Sequence, residues 1–139
     1  MKKGTRRGVS LLASMLAMLV VAGGVAWAVT KFGDNGPNTI NGSAGNDKIH
    51  GLGGNDSLNG QLGADDIWGD RGNDRLIEGP LRQDRAADEL LGGKGNDTLI
   101  TRNKPPSRDF VKCGTGFDTW TADRKDRYVG SRCERVFVP

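Results

Sequence analysis

The chain has 139 residues, 22 of them glycine and 35% apolar, with one histidine, two cysteines and 6% aromatics. These counts bound it to one small domain and exclude a large catalytic core. The formal charge of +3 comes from 20 Lys and Arg against 17 Asp and Glu, but Lys2, Lys3, Arg6 and Arg7 all precede an apolar run, and without them the balance is 16 − 17 = −1, which argues against a nucleic-acid partner.

The first predicted element is a leader over residues 1–28. MKKGTRR is cationic, Val9 to Ala22 is nearly all apolar, Gly23 and Gly24 interrupt the helical pattern, and Ala26-Trp27-Ala28 places small residues as a cleavage site requires. That is the architecture of a secretory signal helix cleaved after Ala28. The competing reading is an uncleaved anchor, since about 20 apolar residues cross a bilayer. The leader is then the chain's only route to a membrane. Export would place the two cysteines in an oxidising compartment.

From Gly33 the chain repeats every nine residues: GDNGPNTIN, GSAGNDKIH, GLGGNDSLN, GQLGADDIW and GDRGNDRLI. Glycine holds the first and fourth places, an aliphatic residue the eighth, and the sixth reads Asn38, Asp47, Asp56, Asp65 and Asp74. After a five-residue insertion, 78–82, the register resumes as QDRAADELL, without its glycines, and then as GGKGNDTLI, with Asp88 and Asp97 in sixth place. Residues 101–112, polar with two prolines, read as a loop. CGTGFDTWT from 113 is a degenerate unit, and a last one centres on Asp126 and Tyr128.

Each unit divides into six turn residues and three extended ones. Glycine permits positive φ and close backbone approach, and Asn or Asp tolerates the turn. The last three places alternate polar, aliphatic, polar, a minimal strand whose one buried side chain is Ile40, Ile49, Leu58, Ile67, Leu76, Leu90, Leu99 or Trp120. So short a strand cannot stand alone. Stacked coils with strands about 4.8 Å apart pair these strands and collect the apolar residues into a column.

The units resemble the RTX, or haemolysin-type, nonapeptide G-G-x-G-x-D-x-U-x, most closely in GLGGNDSLN and GGKGNDTLI. The resemblance implies an all-β, right-handed parallel β-roll over residues 33–100, with two nonapeptides per coil and Ca2+ between neighbouring turns. It also implies ligands from Asn38, Asp47, Asp56, Asp65, Asp74 and Asp97, and from backbone carbonyls near Gly42, Gly45, Gly51, Gly54, Gly60, Gly63, Gly69, Gly72, Gly92 and Gly95. Residues two units apart share an ion: Asn38 with Asp56, Asp47 with Asp65, Asp56 with Asp74, and Asp74 with Asp97 if the insertion bulges outward. The Asp47–Asp65 pair is the strongest, while Asp88 lies in a turn without glycines and reads more as a structural residue than a ligand.

The chemistry points the same way without the resemblance. Calcium takes six to eight oxygens, more than one turn with a single carboxylate supplies, and two stacked turns supply them. Carboxylates stacked about 5 Å apart without an ion repel by about 1 kcal/mol per pair in water, and more in a groove. Folding is therefore expected to be coupled to Ca2+.

Residues 113–139 are expected to cap the roll, with Trp120, Tyr128, Val136 and Phe137 as apolar contributors and a Cys113–Cys133 disulfide across the least regular part of the chain. Two free thiols are the competing reading. His50 and Trp68 occupy ninth places and face outward; Trp68 reads either as an exposed aromatic contact or as a patch against a loop. Residues 101–139 hold nine basic and five acidic residues, most simply a solvated face. No H-E-x-x-H or G-x-S-x-G motif is present, so no enzymatic activity is expected. The reading is an exported calcium-binding protein, with a calcium-rigidified adhesion or surface-interaction module as the alternative.

Overall fold

The computed structural model describes residues 27–80, 84–103, 105–130 and 133–137; the expected signal helix lies outside them. The described residues form twelve strands and no helix, so none of them forms a helix long and apolar enough to cross a membrane. The chain alternates between two sheets. The first holds β1 (Thr30–Phe32), β3 (Lys48–His50), β5 (Asp66–Arg71), β7 (Glu89–Lys94), β9 (Phe110–Thr115) and β11 (Arg127–Tyr128) in that order. The second holds β2 (Thr39–Ser43), β4 (Ser57–Gln61), β6 (Arg75–Ile77), β8 (Thr98–Thr101), β10 (Thr119–Ala122) and β12 (Arg135–Phe137). Every pairing is parallel. The result is a parallel β-solenoid of about five turns.

Two nonapeptides make one coil. Ile49 lies beside Ile67 and Leu58 beside Leu76, and across the insertion Ile67 lies beside Leu90 and Leu76 beside Leu99. The step between coils grows from 18 to 23 residues there, so the extra five are absorbed in the turn and no side chain changes face. The eighth-place residues form the core: Ile49, Ile67, Leu90 and Val111 from the first sheet, and Leu58, Leu76, Leu99 and Trp120 from the second, are all buried. Ile40, on the edge strand β2, is only partly buried.

Two expectations for the irregular half are corrected. Residues 110–112, expected in the loop, begin β9 and insert Val111 into the core. Val111 turns inward between the exposed Phe110 and Lys112, as the eighth-place residue of a regular unit does, and the preceding prolines only lengthen the turn. Asp88, in a turn without glycines, stands at the entry to β7, the structural position expected of it. Residues 113–139 do not form a separate cap, because β10, β11 and β12 continue the stack. Trp120 is buried, but Tyr128, Val136 and Phe137 stand on the last strand of each sheet among the described residues and are about half exposed. Cys113 and Cys133 form the expected disulfide, with Cα atoms 5.4 Å apart.

From the third regular unit onward the second place takes positive φ, +110° at Gly93 and +108° at Gly114, yet Leu52, Gln61 and Asp70 hold the same place at 72°, 83° and 69°. A left-handed conformation costs a branched side chain about 1–2 kcal/mol. Leu52→Gly is therefore expected to stabilise the fold by up to about 1 kcal/mol, read as a higher urea midpoint in calcium. A lower midpoint would show that contacts of the partly exposed Leu52 side chain outweigh the backbone cost.

Candidate metal centre

The turns stack as the strands do, and their sixth-place carboxylates form two ladders. Along one edge the backbone N–H of Asp47 donates to Asp65 Oδ1 at 2.8 Å, that of Asp65 to Asp88 Oδ1 at 2.7 Å, that of Asp88 to Asp109 Oδ1 at 3.0 Å and that of Asp109 to Asp126 Oδ1 at 3.4 Å. Along the other edge Asn38 donates to Asp56 at 2.7 Å, Asp56 to Asp74 at 2.8 Å, Asp74 to Asp97 at 2.9 Å, Asp97 to Asp118 at 2.8 Å and Asp118 to Glu134 Oε2 at 2.6 Å. The insertion thus leaves the Asp74–Asp97 pairing intact. Fifth-place asparagines build a parallel outer ladder: Asn46, Asn55, Asn73 and Asn96 accept from Ala64, Asn73, Asn96 and Phe117.

The ladder uses one oxygen of each carboxylate. The other, Oδ2 of Asp56, Asp65, Asp74, Asp88, Asp97 and Asp118, is buried and accepts no hydrogen bond. An unpartnered buried carboxylate oxygen is costly unless a cation satisfies it. Asp47 differs, because both of its oxygens take protein donors, from Val29 N–H at 2.8 Å, Ser43 Oγ at 2.9 Å and Ser43 N–H. Asn38 brings a carboxamide that accepts from Asp34 N–H at 2.7 Å. Among the regular turns, Asp56, Asp65, Asp74 and Asp97 therefore present the orphan oxygens.

Backbone carbonyls converge on the same points. A Cβ on Gly51 would lie 2.3 Å from Asp56 Oδ2 and 2.8 Å from the Gly69 carbonyl oxygen. Equivalent points beside Gly60, Gly69 and Gly92 meet Asp65 Oδ2 with the Glu78 carbonyl, Asp74 Oδ2 with the Gly92 carbonyl, and Asp97 Oδ2 with the Cys113 carbonyl. First-place glycine is thus required by oxygen crowding between coils. Hard oxygens from two successive turns, with charge from carboxylates, are the donor set of a calcium site.

Electrostatics also demand a cation. Asp47, Asp56, Asp65, Asp74, Glu78, Asp84, Asp88, Asp97, Asp109, Asp118 and Asp126 are buried, eleven carboxylates, and no Lys or Arg is buried among the described residues. The ion pairs among those residues, Lys48–Asp66 at 3.5 Å and His50–Asp70 at 3.3 Å, are on the surface. Burial pushes Asp74 up to about 6, Asp65 and Asp97 up to about 7 and Asp88 up to about 8, against the opposing pull of the ladder hydrogen bond. Asp56, Asp84 and Asp118 are raised for the same reason. Glu78 goes up to about 11 through burial and the adjacent Asp109 carboxylate.

Sequence reading missed Asp109, Asp118 and Glu134 as members of these columns, and Glu78 as a buried carboxylate beside them, because turn lengths drift from nine residues beyond the insertion. The signal was present in the pattern acid-x-aliphatic-x at Asp109-Phe110-Val111-Lys112 and again at Glu134-Arg135-Val136-Phe137. The ring of His50 stacks between Phe32, at 5.3 Å, and Trp68, at 4.2 Å, on the outer face of the first sheet. That settles the open question of Trp68: it belongs to an aromatic column.

The RTX calcium-binding nonapeptide repeat is detected in four copies over residues 32–67, 44–76 and 84–102. No curated protein and no solved structure matches the chain significantly. Period, parallel coils, oxygen-lined turns and this match agree: residues 32–76 and 84–102 carry RTX calcium-binding nonapeptide repeats.

Proposed function

We propose that the protein is an exported, non-catalytic calcium-binding module whose solenoid folds as it takes up Ca2+. Asp56, Asp65, Asp74 and Asp97 are the principal carboxylate ligands, Asn38 and Asp47 contribute at the N-terminal coils, and carbonyls of first-place residues complete the shells. The observation that carries this is the row of buried carboxylate oxygens without donors. Bound calcium would neutralise that row and join one coil to the next. The leader sequence and the Cys113–Cys133 disulfide support an oxidising destination. The single histidine, His50, is engaged by Phe32, Trp68 and Asp70, which supports a non-catalytic reading.

The test is far-UV circular dichroism during calcium titration at pH 8, with magnesium as control. A coil-to-β transition specific to calcium is expected, and Asp56→Ala should raise the calcium required by about tenfold. A spectrum already β in chelator and indifferent to calcium would overturn the proposal. The Phe32–His50–Trp68 column, on an outer sheet face, favours a second reading as a calcium-rigidified surface-interaction module.

A further inference from the structure

The insertion does more than bulge. Glu78 stands where the regular nonapeptide has its first glycine, and the turn it opens is five residues longer than its neighbours. In regular turns the space beside that glycine is taken by the same turn's Asp Oδ2. In the widened turn a long side chain fits there instead, and Glu78 is 1% exposed with no donor to Oε1 or Oε2. Asp88, in the same turn, has its own Oδ2 buried and without a donor. Asp109 comes from the second irregular turn, one coil further, and is fully buried.

One carboxylate oxygen from each of Glu78, Asp88 and Asp109 lies within 4.8 Å of the others. Asp109 is fixed from behind: Ser107 Oγ lies 3.1 Å from both of its oxygens, and Ser107 N–H donates to Asn103 Oδ1 at 2.8 Å. No described Lys, Arg or His forms an ion pair with any of the three. Both oxygens of Glu78 and Oδ2 of Asp88 have no donor, and with Asp109 the three carboxylates supply the hard, charged core of a calcium shell that backbone carbonyls or water can complete. Glu78 and Asp109 both lie outside the residues that match the nonapeptide family, so the site is not a copy of the repeating turns.

We infer that Glu78, Asp88 and Asp109 form a separate Ca2+ site that clamps the two irregular turns together. It stands independently of the assignment of the repeating turns. A competing explanation of the same geometry is a buried carboxyl group sharing a proton with its neighbour, which needs no ion.

The experiment is equilibrium dialysis of the full chain with radioactive calcium at pH 8, paired with thermal melts in saturating calcium. Glu78→Gln keeps shape and hydrogen-bonding capacity while removing the charge that binds the ion. It is expected to lose one bound ion per chain and to melt below the parent in calcium. Asp109→Asn, made in case Glu78→Gln alters the fold, should lose the same ion. Equal ion number and affinity in both variants would overturn the site and leave the repeating turns untouched. An unchanged ion count in Asp56→Ala would instead strike the repeating-turn assignment alone.

Discussion

In chelator at pH 8 the solenoid is expected to be unfolded, and lowering the pH to 5 is expected to restore β structure without any metal. Asp65, Asp74, Asp88 and Asp97 titrate in the fold at about 7, 6, 8 and 7, against an unfolded value of 3.8. A carboxyl raised in this way favours the protonated fold. Its contribution is complete below pH 3.8 and is lost as the pH climbs through 6 to 8. Relative to the protonated fold, each such group costs about 3 kcal/mol or more once ionised. Together they exceed the 5–15 kcal/mol that typically holds a domain folded.

Calcium neutralises the same groups and binds their ionised forms, so saturating calcium should reverse the slope, with stability rising from pH 5 to 8. Melting temperatures by circular dichroism across this range, in chelator and in calcium, give the two curves. A melting temperature in chelator that does not change with pH would contradict the assignment of these carboxylates as the source of calcium dependence.

Gly72→Ala is expected to cost about 4 kcal/mol or more even in saturating calcium. Gly72 sits at φ +129°, and an added Cβ would lie 1.5 Å from the carbonyl oxygen of Gly54. Both atoms are pinned by strands on either side, since β4 pairs with β6 and Gly72 N–H donates to the Lys94 carbonyl at 2.8 Å. Neither rotation nor a small shift relieves the contact, so the coils must part. Gly36→Ala is the control: its Cβ would meet only Asp34 Oδ1, at an ordinary 3.4 Å, and a change within about 0.5 kcal/mol is expected. Denaturant melts in calcium measure both. A loss under 1 kcal/mol for Gly72→Ala would mean the stacked turns are looser than their geometry indicates.

The repeat was legible because one nine-residue rule specifies a turn, a strand and a buried residue together. Ile49, Leu58, Ile67, Leu76, Leu90, Leu99 and Trp120 all enter the core as their eighth place requires. The two glycines were legible as a pair but not in their separate tasks: the fourth place carries positive φ, as at Gly72, while the first is kept small by crowding oxygens, as at Gly51. Past residue 77 the rule weakens because turns can lengthen at no cost to the strands. Val111 and Asp109 were hidden behind the two prolines, and Glu78 read as part of an insertion because nothing local shows that its carboxylate meets Asp109, 31 residues on.

Every bond in the carboxylate ladders runs one way: a turn's N–H is accepted by the side chain of the coil that follows it in sequence. A coil is thus completed from its C-terminal side, and its orphan N–H waits for a residue that is synthesised about twenty positions later. For a chain emerging N-terminus first, from a ribosome or through an export pore, each new turn finishes its predecessor and leaves its own debt open. The last acceptors of the two ladders, Asp126 within the loop that Cys113 and Cys133 close and Glu134 just beyond it, therefore complete the coils before them.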